Sequence, residues 1–239
     1  VPILEGEGVT KYFGGLAAVS NVDFSVDRGE IVGLIGPNGA GKTTLFNLVS
    51  GALVPKSGMI KFNTETITGL KPHRICRKGL ARTFQSIKVF PEMPVFANVL
   101  LGSMFGKSSP SSDSDAEGEA AGCLALVGLL EMSSTPAKNL TLANRKRLEL
   151  ARALATKPQL LLLDEMMAGL NPTEVSEVMD LVVMLRFMGK TIFMIEHVMK
   201  AIMSICDRIM VLHHGEKIAE GTPKEIAASK TVIEAYLGE

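Results

Sequence analysis

The sequence has no tryptophan, few aromatic residues, three cysteines and no net charge, and each shortage removes a class of protein. Cys76, Cys123 and Cys206 are odd in number, far apart and not in metal-binding spacing. That excludes a disulfide scaffold and a zinc module, and it points to a reducing compartment. Lys plus Arg is 25 and Asp plus Glu is 25. A chain without basic excess is a poor match for duplex nucleic acid, so no nucleic-acid partner is expected. No apolar run approaches the ~20 residues that span a bilayer, and the first residues show no signal-peptide pattern. Any membrane role is expected to be peripheral.

What is present is enough apolar chain for a substantial core, since 46% of the 239 residues are hydrophobic. Residues 3–9 and 17–24 alternate as short antiparallel strands, 21–29 read as a polar approach, and 31–35 are an apolar run of the buried-strand kind. Further buried strands are expected at 160–163, 191–195 and 208–212, with helical spacing over 173–188. Apolar strands alternating with helices imply a parallel sheet covered on both faces. Thr222, Pro223 and Glu225 stand as N-cap, N1 and N3 of a helix. Residues 107–122, dense in Ser, Gly, Ala, Asp and Glu, are expected to be a flexible surface connection. They lie within residues 85–155, which otherwise look helical. With no internal repeat and no second core, the expectation is one α/β domain over 1–239, with a helical subdomain inserted at about 86–155.

Between strand 31–35 and the helix-compatible stretch 45–49 stands Gly36-Pro37-Asn38-Gly39-Ala40-Gly41-Lys42-Thr43-Thr44. It fits G-x-x-x-x-G-K-[ST] in the strand–loop–helix context that gives the pattern meaning. Its glycines let successive backbone N–H groups converge on phosphate oxygens, and the helix N-terminus adds a positive dipole end. Lys42 would reach the β- and γ-phosphates, and the Thr43 hydroxyl would ligate Mg²⁺. The run Leu160-Leu161-Leu162-Leu163-Asp164-Glu165 supplies a carboxylate at the C-terminal end of a buried strand. There Asp164 would hold Mg²⁺ through water, and Glu165 would polarise an attacking water.

These residues, and the order in which others follow, resemble the ATP-binding cassette (ABC) ATPases over essentially the whole chain. The resemblance implies a P-loop NTPase (RecA-like) core with a mostly parallel sheet, an N-terminal antiparallel β subdomain and an inserted α-helical subdomain. It also implies ATP and Mg²⁺ as ligands, and hydrolysis with Glu165 as base and Lys42 and His197 on the γ-phosphate. Phe13, in Thr10-Lys11-Tyr12-Phe13-Gly14, matches the aromatic that stacks on adenine, with Tyr12 as the competing stacker. Gln85, in Arg82-Thr83-Phe84-Gln85, matches the glutamine that senses Mg²⁺ and water and links the core to the helices. Ala168-Gly169-Leu170-Asn171 matches a loop that crosses the dimer interface. The family signature corresponds to Leu140-Thr141-Leu142-Ala143-Asn144, where Thr141 and Ala143 would face the nucleotide of a second subunit. Ala143 places a methyl where glycine usually allows close approach, which weakens that trans contact. Arg145, Lys146 and Arg147 read as the solvated face of the same helix.

Within the family, Gly79-Leu80-Ala81-Arg82-Thr83-Phe84-Gln85, the stretch from Ala168 to Glu174, and Ile195-Glu196-His197 are similar to the ATPase subunits of branched-chain amino acid importers. Lipopolysaccharide-export ATPases are the alternative relatives. The implied partners are membrane permease subunits, a second ATPase subunit packed head-to-tail and, indirectly, a periplasmic or extracellular solute-binding protein. The implied location is the cytoplasmic face of the cell membrane, as a peripheral subunit. The altered signature allows a second reading, a nucleotide-holding partner in an asymmetric dimer. A third, a soluble ATPase acting on nucleic acid or ribosome, is opposed by the neutral charge. Ile87, Val89, Phe90, Met93, Val95 and Phe96, crowded around Pro91 and Pro94, are expected in part to line a groove for a short permease helix.

Overall fold

The computed structural model describes residues 1–106 and 112–237. Strands β1 (Pro2–Phe13) and β2 (Leu16–Asp27) form a long antiparallel hairpin, extended on the β1 side by β4 (Ser57–Phe62) and β5 (Glu65–Thr66). The hairpin is longer than the sequence pattern suggests. The stretch read as a polar approach lies mostly inside β2, because Val22, Phe24 and Val26 point inward while Asn21, Asp23 and Asp27 point out.

The second sheet has six strands, β3 (Ile31–Ile35), β6 (Leu80–Arg82), β7 (Leu160–Asp164), β8 (Thr191–Ile195), β9 (Arg208–His213) and β10 (Glu216–Gly221). Their spatial order is β10-β9-β3-β8-β7-β6, parallel from β9 to β6, with β10 antiparallel at the edge. The central strands are apolar throughout because each face meets a different core. Leu160, Leu162, Phe193, Ile195, Val32 and Leu34 face a core shared with the antiparallel sheet. Helix α1 (Lys42–Val49) closes that core through Leu45, Phe46, Leu48 and Val49. Leu161, Leu163, Ile192, Met194, Ile31 and Ile35 face the opposite core.

That opposite core is built with α3 (Val95–Phe105), α4 (Asp113–Leu126), α5 (Leu142–Ala155), α6 (Pro172–Phe187) and α7 (Met199–Ile205). Helix α2 (Pro72–Lys78) precedes β6, and α8 (Pro223–Ala228) and α9 (Lys230–Leu237) close the chain. Thr222 and Glu225 form the anticipated capping box on α8.

Helices α3, α4 and α5 pack on one another as an insert between β6 and β7. Two features depart from expectation. Residues 113–122, expected to be flexible, are helical and belong to α4. Ser112 caps them by accepting the Asp115 N–H at 3.1 Å, and Ala116, Ala120 and Leu124 make a buried stripe at four-residue spacing. The remainder of that stretch, 107–111, lies outside the described residues. Residues 86–94, in contrast, form no helix, and the first helix after Gln85 starts at Val95. No helix among the described residues is long and apolar enough to cross a membrane.

Candidate nucleotide site

The C-terminal ends of β3, β7 and β8 lie side by side, the usual place for a ligand in a parallel sheet. The loop from β3 into α1 turns there on two glycines that nothing else can replace. Gly36 has φ 147° and Gly41, the N-cap of α1, has φ 102°. A Cβ on Gly36 would run into the Leu212 carbonyl, and one on Gly41 into that of Ala18. Lys42 is buried and donates to the carbonyls of Gly36 at 2.6 Å and Pro37 at 2.8 Å, drawing the loop around its ammonium. Around this loop is a cleft of about 440 Å³ lined by Phe13, Asn38, Gly39, Ala40, Gly41, Lys42, Thr43 and Thr44, and by Gln85, Glu165 and His197.

Two residues far apart in sequence converge on the Glu165 carboxylate in that cleft. Gln85 Nε2 donates to Glu165 Oε2 at 3.0 Å, and His197 Nε2 lies 2.9 Å from Glu165 Oε1. Glu165 itself adopts a left-handed backbone with φ 52°, its N–H donating to the Ile195 carbonyl at 2.9 Å. Asp164, the residue before it, is sequestered. Arg82 Nη2 pairs with Asp164 Oδ2 at 2.7 Å, and the Asp164 N–H donates to Thr83 Oγ1 at 3.1 Å. Burial pushes the Asp164 carboxyl above its ordinary pKa, and the Arg82 guanidinium opposes that rise.

Asp164 Oδ1 is buried without a protein partner. Asp164 does not line the cleft as Thr43 and Gln85 do, but its free oxygen, the Thr43 hydroxyl and the Gln85 amide oxygen are the donor types that suit a hard cation such as Mg²⁺. Among the described residues no group of three His, Cys, Asp or Glu could hold a metal alone, so phosphate oxygens and water would complete the shell.

Other residues fall elsewhere. Gly36 and Pro37 form the back of the loop through their carbonyls. Thr141 and Ala143 do not line this cleft. Thr141 is the N-cap of α5, Ala143 is buried, and Leu142 is exposed beside Gly169 of the loop after β7. The basic triplet is not a solvated face. Lys146 is buried and donates to the Glu165 carbonyl at 2.8 Å, Arg145 donates to that of Leu140 at 2.9 Å, and Arg147 pairs with Glu177. Three consecutive helical residues sweep about 200° around the axis, so they do not share one narrow face, and the rotation of α5 turns Lys146 inward.

Sequence reasoning missed Arg82 and Lys146, and also His214, which lines the cleft from the turn after β9. The strand-end position of His214, on the same sheet edge as the phosphate loop, was its one available signal.

A second cavity of about 590 Å³ opens between β6 and the helical insert, lined in part by Phe84, Lys88, Phe90, Leu101, Phe105 and Arg152. Of the six apolar residues expected at a docking groove, only Phe90 lines it. Val95 is fully buried, and Val89 and Phe96 pack against the core. Phe84 and the α3 residues Leu101 and Phe105 provide the apolar wall instead.

The family model described as ABC transporter matches residues 19–168. The chain belongs to the ABC transporter family. The last part of the cassette, residues 216–239, matches a second model, the branched-chain amino acid ATP-binding cassette transporter. The cassette is 42% identical to the high-affinity branched-chain amino acid transport ATP-binding protein BraF of Pseudomonas aeruginosa, covering 100% of this chain and 98% of that one. Its structure is similar to the ADP conformation of MJ1267, an ATP-binding cassette of an ABC transporter, with a TM-score of 0.90, 31% identity and full coverage of both chains. It is also similar to MJ0796, a dimeric cassette in a post-hydrolysis state bound to ADP and Pi, with a TM-score of 0.83 and 25% identity over 92% of this chain and 98% of that one.

Proposed function

We propose that this cassette is the ATP-hydrolysing subunit of an importer for branched-chain amino acids, working on the cytoplasmic face of the membrane. The observation that carries the hydrolytic part is the Glu165 carboxylate, held by Gln85 and His197 at the rim of the phosphate-loop cleft. The solute class rests on the likeness to BraF along the whole chain.

In this reading the loop N–H groups and Lys42 bind the phosphates, and Phe13 stacks on the base. Thr43, Asp164 and Gln85, with water, would hold Mg²⁺, which would supply charge neutralisation at the phosphates. Glu165 orients and deprotonates the attacking water, and His197 holds the carboxylate and meets the γ-phosphate. A second cassette, packed head-to-tail, presents its Thr141, Ala143 and Asn144 to this nucleotide. Ala143 of this chain therefore bears on the partner's site and not on its own. The permease docks in the groove walled by Phe84, Phe90 and Phe105.

Glu165→Gln tests the reading. It leaves the phosphate cradle intact, so ATP still binds while turnover falls by roughly 100-fold or more. On size exclusion in ATP and Mg²⁺ the variant accumulates as a dimer. Turnover near the wild-type rate would show that Glu165 is not the base.

A further inference from the structure

Glu165 is a non-glycine residue in the left-handed region, a conformation that persists only when its surroundings hold it. Besides the turn's own bond from the Ala168 N–H to the Glu165 carbonyl at 3.3 Å, three ties to the rest of the protein hold it. Its N–H donates to the Ile195 carbonyl of the neighbouring strand. The Met167 N–H donates to Glu196 Oε1 at 2.8 Å, and Glu196 is itself 2% exposed. The third tie comes from a different layer of the protein. Lys146, 6% exposed on α5, donates its ammonium to the Glu165 carbonyl at 2.8 Å.

A lysine is rarely buried without a purpose for its charge. Burial pushes the Lys146 pKa down, and the Glu196, Glu165 and Glu149 carboxylates oppose that fall. One helical turn further along α5, Glu149 Oε1 accepts the Lys88 N–H at 3.1 Å, three residues after Gln85. Helix α5 thus grips both segments that meet at the Glu165 carboxylate.

We propose that Lys146 is a positioning residue for Glu165. Its charge-assisted bond to the peptide carbonyl holds the Glu165 backbone in the conformation that aims the carboxylate into the cleft. The bond also joins the base to the helix that begins with Thr141 and Ala143, so a displacement of α5 reaches Glu165 without passing through Gln85. The proposal rests on Glu165 acting as the base.

The test compares full-length wild type, Lys146→Met, Lys146→Arg, Glu165→Gln and the Lys146→Met/Glu165→Gln double variant. Steady-state ATP hydrolysis, calorimetric ATP affinity without turnover, thermal unfolding and ATP-dependent dimer accumulation are measured on each. Lys146→Met is expected to lower kcat by roughly 10- to 100-fold while KM and ATP affinity stay within about twofold. It should accumulate the ATP-bound dimer as Glu165→Gln does. Lys146→Arg, which keeps a charged donor, should recover most of the loss, and the double variant should be no slower than Glu165→Gln alone. If Lys146→Met does not fold, Lys146→Gln, with a shorter neutral amide, takes its place with the same expectation.

An unchanged kcat in a folded Lys146 variant, with Glu165→Gln inactive, overturns this proposal alone. So does a loss of ATP affinity in step with kcat, or a further drop in the double variant. Turnover by Glu165→Gln overturns the base assignment and this proposal together.

Discussion

Arg82 and Asp164 form an ion pair at 2.7 Å with both side chains almost fully enclosed. The same guanidinium donates to Asn47 Oδ1 on α1 at 2.7 Å and to Oγ of its C-cap Ser50 at 3.1 Å, and it lies 5.3 Å from the Phe84 ring centroid. One side chain therefore connects the phosphate-loop helix, the carboxylate suited to the metal, and the aromatic wall of the second cavity. Removing it strands a buried carboxylate. Arg82→Ala should cost about 3–5 kcal/mol of stability, read as a lower denaturant midpoint by circular dichroism, since the chain has no tryptophan to follow. A loss below about 1 kcal/mol would mean the pair is solvated in solution.

Lys42→Ala removes the ammonium around which the loop carbonyls of Gly36 and Pro37 gather. ATP affinity should fall by at least about tenfold, or ~1.4 kcal/mol, in titration calorimetry. Equal affinity in the variant and wild type would contradict the phosphate-loop reading.

Burial raises the Glu196 carboxyl to about 7, against the opposing effects of the Met167 N–H, the Lys146 charge and the His197 N–H. A folded-state pKa above the ordinary 4.5 means that between about pH 4.5 and 7 the folded protein holds a proton that the unfolded chain has released. Stability therefore falls as pH rises through that window and levels off above it. Glu196→Gln should lack this dependence and exceed wild type at pH 8 by up to ~3 kcal/mol. Parallel stability–pH curves for the two proteins would refute it.

Asn171 caps α6 by accepting the N–H groups of Thr173 and Glu174, each at 3.0 Å, while Glu174 Oε2 accepts the Asn171 N–H at 2.9 Å. Asn171→Ala should cost ~1 kcal/mol, and Asn171→Asp, which keeps the acceptor, should cost little. An equal loss in both would point to the amide nitrogen and not to the cap.

A cysteine placed by Lys88→Cys lies on the wall of the second cavity, whereas one placed by Glu92→Cys is exposed outside it. In the assembled transporter the first should cross-link to the permease and the second should not. Strong cross-links at position 92 with none at 88 would move the docking surface off the groove.

The phosphate loop and the Asp164–Glu165 pair were legible as strings because their chemistry is local. Convergent N–H groups need glycines at set positions, and a strand-end carboxylate needs only an apolar run before it. The parallel sheet was legible because buried strands have apolar residues on both faces. Tertiary structure decided the rest. Gln85 and His197 reach Glu165 across 80 and 32 residues, distances at which sequence pattern carries no direction. Lys146 looked like surface because its neighbours are charged. Its inward turn follows from how α5 is rotated about its axis, which packing against the rest of the core sets. Residues 113–122 looked like a linker because their buried positions are Ala116 and Ala120, too small to leave a strong apolar period. They become a helix face only where α3 and α5 cover them.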